Sequence, residues 1–228
     1  MKVSIKSTKD IEINAVKCVV YGGAGVGKTR LCATAPTPLI ISAESGLLSL
    51  ADVDCDYVNV DSIDEFNDAY RFVKSSEEAS KYETICLDSL SEIAEALVEK
   101  ILPTVKDPRQ AYSQLANAML PVLRNFRRLP QKHTLFTSKM ITVTDEETEK
   151  VTQELMLPGR VLPNQVPYMV DELFKLKIDR KGNQVLQTSP DRLSFCKDRS
   201  GALGKEIVNP NMTSIINEIM KKSGSKSG

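Results

Sequence analysis

The stretch Gly22-Gly23-Ala24-Gly25-Val26-Gly27-Lys28-Thr29 decides how the rest of the chain is read. It fits G-x-x-x-x-G-K-[ST], the phosphate-binding loop. Its glycines allow a tight backbone turn that aims successive N–H groups inward, forming a concave nest for phosphate oxygens. In that geometry Lys28 reaches the β- and γ-phosphates and the Thr29 hydroxyl ligates Mg²⁺. Residues 16–21 read as an apolar strand and residues 28–34 as a helix, the strand–loop–helix setting the motif requires. The helix also brings its positive dipole end to the loop. The expected ligand is a nucleoside triphosphate, bound by Gly22, Gly23, Ala24, Gly25, Val26, Gly27, Lys28, Thr29 and Arg30.

Working outward, 228 residues suffice for one good α/β domain with small additions. Hydrophobic residues make up 41% and charged residues 26%, as in an ordinary globular protein. Formal net charge is zero, so no global attraction to nucleic acid or acidic membrane follows, and any such contact needs a local patch. Cys18, Cys32, Cys55, Cys86 and Cys196 show no C-x-x-C spacing and mostly sit in apolar runs. They read as buried thiols rather than disulfides or zinc ligands. There is no signal peptide and no run of transmembrane length, so a cytoplasmic protein without membrane contact is expected.

Residues 1–15 read as strand, turn and returning strand. After the loop and its helix, residues 39–41 form a continuous apolar run, as a buried parallel strand does. It ends in Ser42-Ala43-Glu44. Residues 57–60 make a third strand, and Ser62-Ile63-Asp64-Glu65 has capping-box form and opens a helix to about residue 76. Residues 84–88 are a fourth strand ending in Asp88. A helix over 91–102, a polar proline-bounded loop over 103–110 and a helix over 112–128 lead to a fifth strand at 133–138. Alternating helices and apolar strands indicate a mainly parallel sheet covered on both faces. From residue 140 the pattern becomes strands: a protruding hairpin over 140–157, a second hairpin over 172–188, and a last segment at 194–197. The domain reading is one core over residues 1–210, then a short amphipathic helix and flexible tail over 211–228.

Two carboxylates narrow the chemistry. Asp88 ends an apolar strand where an acid can hold Mg²⁺ beside Thr29. Glu44 also ends an apolar strand, so it emerges at the same sheet edge, where a carboxylate can orient or deprotonate a water attacking the γ-phosphate. Ile-Ser-Ala-Glu44 and Ile-Cys-Leu-Asp88-Ser89 together resemble the RecA-type recombinase core. That resemblance implies a RecA-like P-loop NTPase: a mainly parallel five-stranded core sheet in the order third, second, fourth, fifth, first, plus C-terminal antiparallel hairpins. It also implies Glu44 as catalytic base and Asp88 as magnesium acid.

More closely, the chain resembles the small phage-encoded ATPases of that core that act in single-strand annealing. Leu157-Pro158-Gly159-Arg160 and Lys197-Asp198-Arg199-Ser200-Gly201-Ala202-Leu203 carry this, and the match runs over roughly residues 14–205. Where RecA proteins end the fifth strand with a γ-phosphate-sensing glutamine, this chain has Thr137, Ser138 and Lys139, so sensing falls on Ser138 or Lys139. The extra DNA-binding domains of full-length recombinases are lacking, which favours annealing over strand exchange.

The resemblance further implies a ring or filament in which Lys197 or Arg199 of a neighbour completes the site as an arginine finger does. Single-stranded DNA is expected along the loop carrying Lys106, Arg109 and Tyr112 and along the hairpin over 140–160. Lysines and arginines there would meet phosphates, and Tyr112 could stack on a base. A DNA-stimulated ATPase using ATP and Mg²⁺ is expected, with single-stranded DNA, further copies of itself and a single-strand DNA-binding protein as partners. Other P-loop readings fit less well. No Asn is followed by Lys, against a GTPase, and the hairpin lacks the arginines of a nucleotide-kinase lid. An ATPase of other DNA metabolism, or ATP-dependent assembly with little turnover, stays open.

Overall fold

The computed structural model describes residues 14–43 and 48–224. The strand expected at the start of the chain, Glu44 and the last residues of the tail lie outside the described residues.

Six strands run parallel at the centre. They are β1 (Lys17–Gly22), β2 (Pro38–Ser42), β3 (Asp56–Asn59), β4 (Thr84–Asp88), β5 (His133–Thr144) and, after β6 (Val151–Met156), β7 (Glu172–Ile178). Beyond these, β8 (Gln184–Gln187), β9 (Lys197–Asp198) and β10 (Glu206–Val208) add antiparallel pairs. The sheet order is β10-β8-β7-β1-β5-β4-β2-β3. The expected third–second–fourth–fifth–first order is present, and β7 extends it by pairing parallel to β1.

Alternate residues of these strands bury into opposite layers, which is why they read as continuous apolar runs. Val19, Tyr21, Ile41, Leu87 and Phe136 face a layer built by α2 (Ile63–Ser75), α3 (Leu90–Ile101), α4 (Pro108–Arg127) and α5 (Val161–Met169). There Phe126 of α4 stacks on Phe66 of α2 at 5.1 Å and takes Tyr70 edge-on at 5.3 Å. Cys18, Val20, Ile40, Cys86 and Leu135 face the other layer, made by α1 (Lys28–Ala33) and α6 (Met212–Gly224). Met212, Ile215, Ile216 and Ile219 of α6 are buried in that layer, so its apolar face belongs to the core.

Three local differences from the sequence reading matter for the site. The loop over 103–110 is shorter than expected, because Asp107 caps α4 by accepting from Arg109 N–H at 2.9 Å and Pro108 opens the helix. Proline fits the first helical turn, where its missing N–H costs nothing. Arg109 and Tyr112 therefore stand on the first turns of a helix. Second, the expected fifth strand and the first arm of the hairpin are one continuous strand, β5, with β6 paired to its outer half. Third, residues 161–169 form a helix despite Pro163 and Pro167.

Candidate functional site

The phosphate loop leaves β1 at its carboxyl end and enters α1. Gly25 and Gly27 take left-handed backbone at φ +71° and +92°, which L side chains adopt only with strain. Gly27 is also crowded: a Cβ there would strike the Gln184 side chain, whose Nε2 donates to the Val26 carbonyl at 2.9 Å. Gly22 is required for another reason, since a Cβ would run into the Leu176 carbonyl of β7. Thus β7 and the start of β8 clamp the loop from the side, a contact with no local sequence signal. Lys28 Nζ donates to the carbonyls of Gly22 at 3.1 Å and Gly23 at 2.9 Å, folding the side chain back on its own loop.

A cleft of about 570 Å³ opens over this loop, within the range of small-molecule sites. Ala24, Gly25, Gly27, Lys28, Thr29 and Arg30 line one wall; Asp88, Ser89, Glu92, Lys139, Met140 and Met156 line the other. Arg30 is exposed and is held by a bidentate ion pair to Asp52, 2.7 and 3.1 Å, at the rim.

Asp88 is 1% exposed at the end of β4. Its Oδ1 accepts from the Thr137 hydroxyl, whereas Oδ2 has no hydrogen-bond partner among the described residues. A buried carboxylate oxygen left without a donor is costly unless something else meets it. An orphaned oxygen in the same cleft as the Thr29 hydroxyl fits Mg²⁺. That cation takes oxygen ligands and usually relies on one or two protein groups, waters and the phosphates themselves. Among the described residues no group of three or more His, Cys, Asp or Glu is placed to hold a metal. Ser42 is in register with Asp88 on β2, and Glu44 follows two residues later, outside the described residues.

Lys139 sits opposite the loop with Nζ 2.6 Å from both Glu92 and Glu95 of α3. Burial pushes its pKa down, but the two carboxylates outweigh that and hold it above the usual lysine value. Ser138, the other candidate sensor, is buried against the Ser91 hydroxyl at 3.1 Å and does not line the cleft. Glu92 went unnoticed in the sequence. The signal was present in Ser89-Leu90-Ser91-Glu92, a capping-box pattern, and Ser89 Oγ accepts from Glu92 N–H at 3.3 Å.

The remaining sequence candidates lie elsewhere. Lys197 and Arg199 stand at the opposite edge, where β9 meets the start of β7. Lys197 Nζ donates to the carbonyls of Pro167 and Val170, 2.6 Å each, and burial pulls its pKa down. That fixes Lys197 in its own subunit, while Arg199 keeps a half-exposed head group paired with Asp171 at 3.3 Å. Lys106, Arg109 and Tyr112 are all exposed. Tyr112 packs against the turn at Gly159, where a Cβ would lie 3.2 Å from the Tyr112 Cβ.

A parallel sheet whose central strand feeds a phosphate loop, with a magnesium-suited aspartate across the cleft, defines a P-loop NTPase. Residues 14–200 match the family model described as the AAA domain, and the chain belongs to that family: it is a P-loop ATPase domain of AAA type. Among solved structures it is similar to a prototypical ATPase from the type III secretion system of pathogenic bacteria, with 12% identity and a TM-score of 0.46. That similarity covers 73% of this chain and about half, 51%, of the other. No curated protein matches the chain. Among the described residues no helix is long and apolar enough to cross a membrane.

Proposed function

We propose that the chain is a phage-type, RecA-like ATPase that assembles on single-stranded DNA as a ring or filament of its own copies and promotes annealing or recombination. The observation that carries the DNA part is the packing of Tyr112 on Gly159. It joins the two segments expected to carry DNA into one surface, and Met156, three residues before Gly159, lines the nucleotide cleft.

In this reading the loop N–H groups bind the phosphates, and Lys28 exchanges its carbonyl partners for phosphate oxygens. Thr29 and Asp88 hold Mg²⁺, which offsets the charge that develops on the phosphates. Glu44 takes a proton from the water that attacks the γ-phosphorus, the bond to the bridging oxygen breaks, and ADP and phosphate leave. Lys139, held between two glutamates at the cleft wall, is our candidate for the γ-phosphate sensor, and its position in the cleft lining supports that role. Arg199, the basic residue of its pair with an available head group, completes a neighbour's site in trans.

ATPase assays with and without single-stranded DNA, on wild type, Glu44→Ala and Arg199→Ala, test this. DNA-stimulated turnover that both substitutions abolish while ATP binding persists is expected, with partial rescue of Arg199→Ala when mixed with Glu44→Ala subunits. Turnover indifferent to DNA would overturn the DNA reading, and failure of rescue would overturn the role in trans. Nucleotide-dependent assembly with negligible turnover would point instead to an assembly factor.

A further inference from the structure

Two aromatic side chains stand out of the surface on rigid backbone. Tyr168 is 78% exposed and Phe195 55%. Both are anchored: the Phe195 carbonyl accepts from Tyr21 Oη at 3.1 Å, and Ser194 N–H donates to Asp191 at 2.6 Å. On the other side, the Pro167 carbonyl beside Tyr168 accepts from Lys197. With Tyr21, Pro163, Asn164, Pro167 and the carboxylate of Glu154 these aromatics line a cavity of about 200 Å³. A cavity of about 150 Å³ accepts a benzene ring, so this one has room for a single flat heterocycle.

Two arginines stand on the segments that carry the aromatics: Arg160 precedes exposed Val161 at the start of α5, and Arg192 precedes exposed Leu193 in the turn that leads to Phe195. Both arginines are exposed, and neither has a hydrogen bond or ion pair among the described residues. Exposed aromatics on a fixed frame mark a contact surface. Aromatic faces beside a small cavity, with guanidiniums on the same two segments and a carboxylate in the lining that can accept from a base N–H, match a unit with apolar faces, a donor edge and an anionic backbone. That unit is a nucleotide of a single strand.

We infer that Tyr168 and Phe195 form a base-stacking site for single-stranded nucleic acid, with Arg160 and Arg192 on the flanking phosphates. The inference rests on the DNA reading above and extends it. Arg160 follows Gly159, on which Tyr112 packs, so the site continues the Lys106–Tyr112 surface beyond the residues the sequence pointed to. Asn164 offers a donor and an acceptor to the base edge.

The chain contains no tryptophan, so Tyr168→Trp in the full chain gives a single reporter. Titration with oligo-dT is expected to quench its emission in step with binding followed by the anisotropy of the labelled oligonucleotide. Tyr168→Ala and Phe195→Ala are each expected to weaken oligo-dT binding at least about fivefold, the lower end of a base–aromatic stack, whereas Tyr168→Phe keeps wild-type affinity. Arg160→Ala and Arg192→Ala are expected to flatten the salt dependence by about one phosphate contact each. If wild type binds oligo-dT but the tryptophan does not respond and the alanine variants bind normally, this inference falls and the DNA reading stands. If the alanine variants bind normally but sediment as smaller species, the patch is an interface between copies and the inference falls. Wild type that binds no oligo-dT overturns both.

Discussion

Asp88 and Glu172 make an instructive pair. Each is 1% exposed at an end of a parallel strand, and each has one satisfied oxygen and one buried oxygen with no donor among the described residues. Asp88 closes β4 at the carboxyl edge, while Glu172 opens β7 at the amino edge. Their surroundings differ. Asp88 faces a cleft lined by the phosphate loop with Lys28, Thr29 and Arg30, and by Lys139 with its partner Glu92. Glu172 accepts from Ser200 N–H at 3.2 Å, but burial together with the neighbouring Asp198 carboxylate raises its pKa to about 8. That shift favours the protonated form, whose hydroxyl has Asp198 to donate to. The same orphaned oxygen thus points to a cation where it shares a cleft with a phosphate loop and the Thr29 hydroxyl, and to a proton where it is pressed against a second carboxylate.

The lysines repeat the contrast. At the amino edge Lys17 donates to the carbonyls of Leu129 and Lys132, Lys132 to those of Ala79 and Tyr82, and Lys197 to those of Pro167 and Val170. These pins close chain turns. Lys28 also rests on two carbonyls, yet it does so at the mouth of a cleft.

Substitutions can break this contrast, beginning with the largest effect. Lys28→Ala is expected to lower ATP turnover by about two orders of magnitude or more, with loss of labelled ATP retention. A protein that still turns over ATP at near the wild-type rate would make Lys28 a pin like the others. Asp88→Asn keeps the shape but removes the charge, and is expected to abolish the rise in melting temperature that Mg²⁺ and an ATP analogue give the wild type. Glu172→Gln should leave that rise intact, and its loss would erase the distinction between the two edges. Lys197→Ala strands two carbonyls and is expected to cost about 1–3 kcal/mol of stability by denaturant titration, with turnover retained below the transition.

The smallest effect concerns pH. Because Glu172 binds its proton more tightly folded than unfolded, its contribution to stability is fully present below the ordinary carboxylate range. That contribution declines as pH rises toward about 8 and levels off above that. In Glu172→Gln that decline is expected to shrink, measured as melting temperature against pH. An unchanged profile would mean that Glu172 is ionised despite its burial.

Part of the carboxyl edge was legible because its signals are local: a glycine spacing, an apolar run ending in Asp88, and the Ser62 cap three residues before Glu65. The amino edge and the flank were not. The clamp of Gln184 on Val26 and the pairing of β7 beside β1 join residues more than 150 positions apart, and no short pattern encodes that register. Prolines misled twice. Pro108 looked like a loop residue although Asp107-Pro108 is a helix cap and first turn, and Pro163 and Pro167 hid a helix whose buried Leu162, Val166 and Met169 hold it to the core. The fold class therefore followed from periodicity, whereas the walls of the cleft required the third dimension.

β5 carries one more consequence. Over Thr134–Phe136 it lies between β1 and β4; at Lys139 the ladder from β1 ends at Gly22 and the ladder from β6 begins at Met156. From there to Thr144 it has a single neighbour. Amide hydrogens in the first half should exchange with solvent only when the whole molecule opens, and those beyond Lys139 through far cheaper local excursions. One strand thus joins the slowest-exchanging part of the protein to one of its fastest, and the boundary falls on the lysine that faces the phosphate loop.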